Sequence, residues 1–154
     1  MRGKVKNKFT QSVLFCCNYN SIRSPMAEGI FKKLVGNKIF VQSAGVFDSL
    51  EIDGFTVRVC SEIDVKLNKH RVRSLEEMEK QGGFIGSFDL VIALTKESLV
   101  EVRKYSLYSS VIVENWLVKE PFKDENNVDQ TLGSYRNTRN IIFNKINERF
   151  GEYF

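Results

Sequence analysis

The chain has little of what breaks, staples or anchors a fold. Its 154 residues include two prolines, one histidine, one tryptophan and three cysteines. With so few prolines and no low-complexity stretch or internal repeat, neither a linker nor a second domain is expected. The expected organisation is one domain over 1–154, long enough to bury a core without staples. Cysteines at positions 16, 17 and 60 offer no disulfide framework and no metal-binding spacing, which fits a reducing compartment. No apolar run is long enough to span a bilayer. The start, Met1 to Lys8, is basic, but no apolar signal core follows it. Residues 1–10 therefore read as a short solvated arm, and the protein as cytoplasmic with no membrane partner.

Charge is informative mainly by its modesty. A formal net charge of +4 suits an anionic substrate or a nucleic acid. No aromatic-basic stripe or nucleic-acid motif accompanies it, so solvated lysine-rich faces are the simpler reading and no nucleic-acid partner is expected.

What is present is an alternation of apolar runs and helical spacings. Ser12–Cys16 reads as a buried strand and Ser24 to about Val35 as a helix. Lys38–Gln42 reads as a second strand. Phe55, Val59 and Ile63 recur at a four-residue spacing that predicts a helix. Ser74 followed by Glu77 makes a capping box at the start of another short helix. Leu90–Leu94 is an apolar run of the kind found in central parallel strands. Lys96–Lys104 reads as helix, Val111–Val113 as a fourth strand, and Leu132 to Phe150 as a long terminal helix. The glycine-rich Gly82–Gly86 lacks a dinucleotide fingerprint and precedes a strand, so it reads as a loop. Strands alternating with helices predict an α/β fold, a parallel sheet covered on both faces with right-handed crossovers.

One run carries chemistry: Cys17-Asn18-Tyr19-Asn20-Ser21-Ile22-Arg23-Ser24, lying between the first strand and the first helix. A helix N-terminus presents free N–H groups and a partial positive charge that favour an oxyanion. The same environment favours a thiolate over a thiol. Arg23 adds a planar fork matched to phosphate oxygens. Nucleophile and anion cradle thus come from one loop, at the carboxyl end of a strand where open α/β sheets bind ligands.

From Val13 to Phe31 the chain resembles the signature of low-molecular-weight protein tyrosine phosphatases and their relatives, the thioredoxin-coupled arsenate reductases. Further matches are Gln42-Ser43-Ala44-Gly45, Lys69-His70-Arg71, Phe88-Asp89-Leu90-Val91-Ile92 and the dipeptide Glu120-Pro121, so the likeness runs from Ser12 to about Phe150. It implies a three-layer α/β/α fold with a four-stranded parallel sheet of order 2-1-3-4 and the phosphate-binding loop after strand 1. It implies hydrolysis of a phosphomonoester through a phosphocysteine on Cys17. Arg23 and the N–H groups of residues 18–24 would hold the phosphoryl oxygens, and Ser24 would donate to the thiolate. Asn20 and Ser43 would brace the loop, and His70 would orient Asn20. The implied substrate is a phosphotyrosine protein or a small aryl phosphomonoester; no cofactor and no metal are expected.

Three positions depart from the family pattern. Glu120 stands where the family has its proton-donating aspartate, with Asp124 as the nearest substitute on the same loop; Glu120 also reads as a plain surface charge. Tyr19 replaces a usual glycine. Ile22 replaces the second cysteine that can trap an oxidised nucleophile, and Cys16, adjacent in a strand, should face the other way. Phe47 and Phe122 read as entrance residues able to sandwich a phenyl ring, or equally as core. Two alternatives stand beside the phosphatase reading: an arsenate reductase-like enzyme, for which residues 81–97 lack the relay cysteines, and a catalytically weak phosphate- or phosphotyrosine-binding module.

Overall fold

The computed structural model of the chain describes residues 10–154. The basic arm expected over 1–10 therefore lies, but for Thr10, outside the described residues. Four parallel strands, β1 (Ser12–Cys17), β2 (Phe40–Gly45), β3 (Leu90–Ala93) and β4 (Ile112–Asn115), form one sheet in the order β2-β1-β3-β4. Helices α1 (Arg23–Val35), α2 (Gly54–Ser61), α3 (Leu75–Lys80), α4 (Lys96–Tyr105) and α5 (Val128–Phe150) connect and follow them. The three-layer architecture and the strand order expected from the family likeness are the ones observed.

β1 is central, and its run Val13-Leu14-Phe15-Cys16-Cys17 is buried throughout because both faces of the sheet are covered. Alternation sends Val13, Phe15 and Cys17 into the core under α1 and α5, whereas Leu14 and Cys16 enter the opposite core with Leu75, Met78 and Val102. Edge-on ring contacts tie the first core together, Phe15 to Phe31 at 5.6 Å and Phe31 to Phe150 at 4.8 Å between centroids. No helix among the described residues is long and apolar enough to cross a membrane.

Several boundaries shift from their sequence expectation for local reasons. β2 starts at Phe40 because Lys38 N–H still donates to the Val35 carbonyl in the turn that ends α1. β4 runs on through Glu114 and Asn115, polar residues admitted because this is a partly exposed edge strand. α5 begins at Val128, four residues early, where the Asn127 side chain caps Gln130 N–H. The Gly82–Gly86 loop ends in a single 3₁₀ turn, Ile85–Ser87. Ser74 and Glu77 form the expected reciprocal cap of α3.

Candidate active site

β1 ends on Cys17, and the chain passes through residues 18–22 into the first turn of α1. This helix opens with no side-chain cap and no acidic residue in its first turn, leaving its positive end unsatisfied. Pro25 is tolerated there because a first-turn residue needs no intrahelical N–H. Ser24 lies inside the first turn, with Ile22 at the cap position. Its backbone N–H points at the Cys17 sulfur from 3.4 Å, and its hydroxyl lies 3.0 Å from the same atom.

The loop is pressed against the end of β2. Val46 and Phe47 N–H donate to the Cys17 and Asn18 carbonyls at 3.0 and 2.7 Å. A Cβ on Gly45 would stand 2.7 Å from backbone atoms of Tyr19 and Asn20, so only glycine fits this close approach. Asn20 takes φ 55°, the left-handed region that asparagine tolerates, and is fully buried.

Asn20 is the hub of a directed hydrogen-bond network. Arg73 N–H donates to Asn20 Oδ1 at 3.1 Å, which fixes the amide orientation. Its Nδ2 then donates to Ser24 Oγ at 2.8 Å and Ser43 Oγ at 2.9 Å. The Ser43 hydroxyl in turn donates to Glu28 Oε1 at 2.5 Å. His70 Nε2 lies 3.0 Å from Asn20 Oδ1, so this nitrogen carries the proton. Burial, the largest cause, holds His70 below its ordinary value of 6.5. Its Nδ1 faces Glu28 at 3.9 Å.

Arg23 is buried, with Nη1 donating to the Val118 carbonyl at 2.9 Å and Nη2 3.7 Å from Glu120 Oε1. Its Nε has no partner among the described residues. Glu120 is otherwise exposed. Asp124 is committed to its own turn: its carboxylate accepts from Asn126 N–H at 3.0 Å, and its backbone exchanges bonds with Thr131. Of the two sequence candidates, only Glu120 touches the arginine.

Around the rim, Asp53 N–H donates to the Ser21 carbonyl at 3.1 Å, and Thr95 Oγ1 donates to Asn18 Oδ1 at 2.8 Å. Asp53 also accepts from the Tyr135 hydroxyl at 3.1 Å and pairs with Lys123 at 2.6 Å. Burial and the Asp53 charge push the Tyr135 phenol well above its ordinary value. Phe47 and Phe122 are exposed, 46% and 58%, so neither is core. The ring that partners Phe47 is Tyr19, at 5.4 Å between centroids; Phe122 is tethered separately, its N–H donating to Ser134.

Glu28, Asp53, Arg73 and Thr95 were not singled out from sequence. Glu28 left a trace, a carboxylate inside the apolar run Met26-Ala27-Glu28-Gly29-Ile30. The Arg73 and Val118 contributions are main-chain groups, which no residue type announces.

A parallel sheet whose central strand ends on a cysteine, with the sulfur against the first turn of a helix that opens on a buried arginine, defines an α/β protein of the kind that can hold an oxyanion there. The model of the low molecular weight phosphotyrosine protein phosphatase family matches residues 12–151, and the chain belongs to that family. The low molecular weight protein tyrosine phosphatase of T. tengcongensis is 29% identical, with 92% of this chain and 99% of that one covered and a TM-score of 0.69. An arsenate reductase in its phosphate-binding state is 23% identical over 94% of this chain and 99% of its own, TM-score 0.73. A cysteine-to-serine mutant of the arginine phosphatase YwlE, phosphorylated on that active-site serine, is 24% identical over 92% of this chain and 96% of its own, TM-score 0.71. These last two speak for the fold alone. No curated protein matches the sequence.

Proposed function

We propose that the chain is a cysteine-dependent phosphatase that hydrolyses aryl phosphomonoesters, phosphotyrosine among them. Cys17 attacks phosphorus as a thiolate; the S–P bond forms as the P–O bond to the phenol breaks. Glu120 gives its proton to the departing oxygen. Water then attacks phosphorus, Glu120 takes a proton back, the S–P bond breaks and phosphate leaves. Splitting the reaction this way is the usual gain of covalent catalysis. Loop N–H groups and Arg23 supply the electrostatic stabilisation on which phosphoryl transfer mainly depends.

The observation that carries this reading is the Cys17 sulfur held between the Ser24 hydroxyl and N–H, in the same loop as a buried guanidinium whose Nε has no partner among the described residues. Tyr19 and Phe47 supply a half-exposed aromatic edge at the mouth, suited to a flat phenyl group. Arsenate reduction needs a second thiolate to relay electrons. Burial pushes the Cys60 thiol up to about 12, and residues 81–97 hold no cysteine, so the relay has no second member.

The test is steady-state hydrolysis of p-nitrophenyl phosphate and a phosphotyrosine peptide, beside Cys17→Ser and an arsenate-reduction assay. Turnover lost in Cys17→Ser supports the proposal. Peptide binding without wild-type turnover would instead make the chain a phosphate-binding module.

A further inference from the structure

A cleft of about 690 Å³ opens between α1 and the segment 64–73 that leads to α3, away from the Cys17 sulfur. Its size is that of a small-molecule site. Lys32, Lys33, Lys66, Lys69, Arg71 and Arg73 line it, against the carboxylates of Glu28 and Asp64. Six cations against two anions leave a local surplus of four positive charges, although residues 10–154 as a whole carry 19 basic and 19 acidic side chains. The cleft is a local concentration of positive charge, offset by a net negative charge over the rest of residues 10–154.

The pairing within the cleft shows which cations lack a partner. Lys32 is held by Glu28 at 2.7 Å, while Lys33 and Lys66 share Asp64 at 3.7 and 3.5 Å. Among the described residues Lys69, Arg71 and Arg73 meet no carboxylate within 4.0 Å. Arg73 is half-buried, and one of its guanidinium nitrogens donates to the Ser43 carbonyl at 3.2 Å. Burial, the largest cause, holds Arg73 below the ordinary arginine range, with the more distant Glu28 and Glu77 carboxylates opposing it. Like charges crowded into one cleft add self-repulsion that an anion would relieve. Buried Val65 and Leu67 contribute an apolar wall.

We propose that this cleft binds a small polyphosphate, free or carried on a nucleotide. A triphosphate group carries a negative charge comparable to the surplus, and guanidinium forks and ammonium groups are the side chains suited to its oxygens. The site lies apart from the anion position at α1's N-terminus. It shares Glu28 and His70 with the network around Asn20, so an occupant would touch the groups that brace the nucleophile loop.

The experiment is calorimetric titration of tripolyphosphate and of ATP, at near-physiological salt, into protein carrying Cys17→Ser so that no ligand is turned over. Lys66→Gln with Lys69→Gln removes two exposed charges, and thermal melting checks that the pair leaves the fold intact. The expected result is saturable one-to-one binding, weakened about tenfold or more by the double substitution, restored by Lys66→Arg with Lys69→Arg, and kept in Arg23→Lys. ATP tighter than tripolyphosphate would identify a nucleotide resting on Val65 and Leu67; equal affinities would identify free polyphosphate. Binding lost in Arg23→Lys but kept in the double variant would put the anion on the nucleophile loop and overturn the proposal. So would the absence of saturable binding, or binding that salt alone abolishes equally in every variant.

Discussion

The Ser24 hydroxyl lies 3.0 Å from the Cys17 sulfur, and its proton has one place to go. Arg73 N–H can only donate, so Asn20 Oδ1 must accept; Asn20 Nδ2 therefore donates to Ser24 Oγ. With its oxygen accepting from the amide, Ser24 turns its proton toward sulfur. Such a bond favours the free thiolate over the phosphorylated form, so it should act most on phosphocysteine breakdown, when the thiolate leaves. Ser24→Ala is expected to lower kcat about a hundredfold. A burst of p-nitrophenol followed by slow turnover, seen by stopped flow, is the signature; unchanged kcat without a burst would refute the role.

On the proposed mechanism Glu120 and Asp124 are the two candidate proton donors, and their surroundings differ. Glu120 reaches to 3.7 Å from Arg23, whereas the Asp124 carboxylate is spent on Asn126 N–H. Glu120→Gln should reduce kcat by about a hundredfold for phenyl phosphate, whose leaving group needs the proton. The loss should shrink for p-nitrophenyl phosphate, whose phenolate leaves more readily. Asp124→Asn should leave both rates within about threefold, because it keeps the turn's acceptor oxygen. The reverse ranking of the two variants would reassign the acid.

His70 gives stability a pH dependence of known sign. Burial lowers its affinity for a proton, Arg73 and Lys32 act in the same sense, and Glu28 and the Asn20 contact oppose them. The unfolded chain, with the ordinary value of 6.5, then binds the proton more readily than the folded one. The stabilising contribution is present above 6.5 and is lost as pH falls through the depressed folded-state value. Urea midpoints for wild type should fall between about pH 7 and about pH 5 more steeply than those of His70→Gln, whose side-chain amide can still donate to Asn20. Parallel slopes would show that His70 titrates alike in both states.

Sequence shows the parts that depend on side-chain type and hides those that depend on the main chain. The β1 run and the spacing from Cys17 to Arg23 and Ser24 were legible because apolar burial and oxyanion chemistry demand particular residues. Strand order entered only through the family likeness, since periodicity cannot say which strands adjoin. Arg73 N–H and the Val118 carbonyl escaped notice because every non-proline residue carries such groups. Tyr19 was visible as a departure from glycine, but its pairing with Phe47 depends on how closely the loop lies against β2. The early start of α5 was missed because apolar spacing sees buried positions, while Val128 is half exposed and follows a polar cap.

Cys17, the proposed nucleophile, has no second thiol beside it in the loop. Ile22 occupies the position beside Arg23 where a second cysteine would serve. Cys16, though adjacent in sequence, lies in the opposite core, and burial together with the neighbouring Cys17 raises its thiol well above the ordinary value. Burial likewise pushes Cys60 up to about 12. Neither offers a thiolate to attack a sulfenate on Cys17, so oxidation should continue to the sulfinic acid, which dithiothreitol does not reverse. Brief peroxide treatment is therefore expected to leave most activity unrecovered, with the added oxygens found on the Cys17 peptide by mass spectrometry. Ile22→Cys, which places a thiol next to Arg23, should convert that loss into a disulfide that dithiothreitol reopens. Full recovery of the unmodified chain, or a Cys17–Cys60 disulfide in its peptide map, would mean that the core opens enough for a buried thiol to reach the loop.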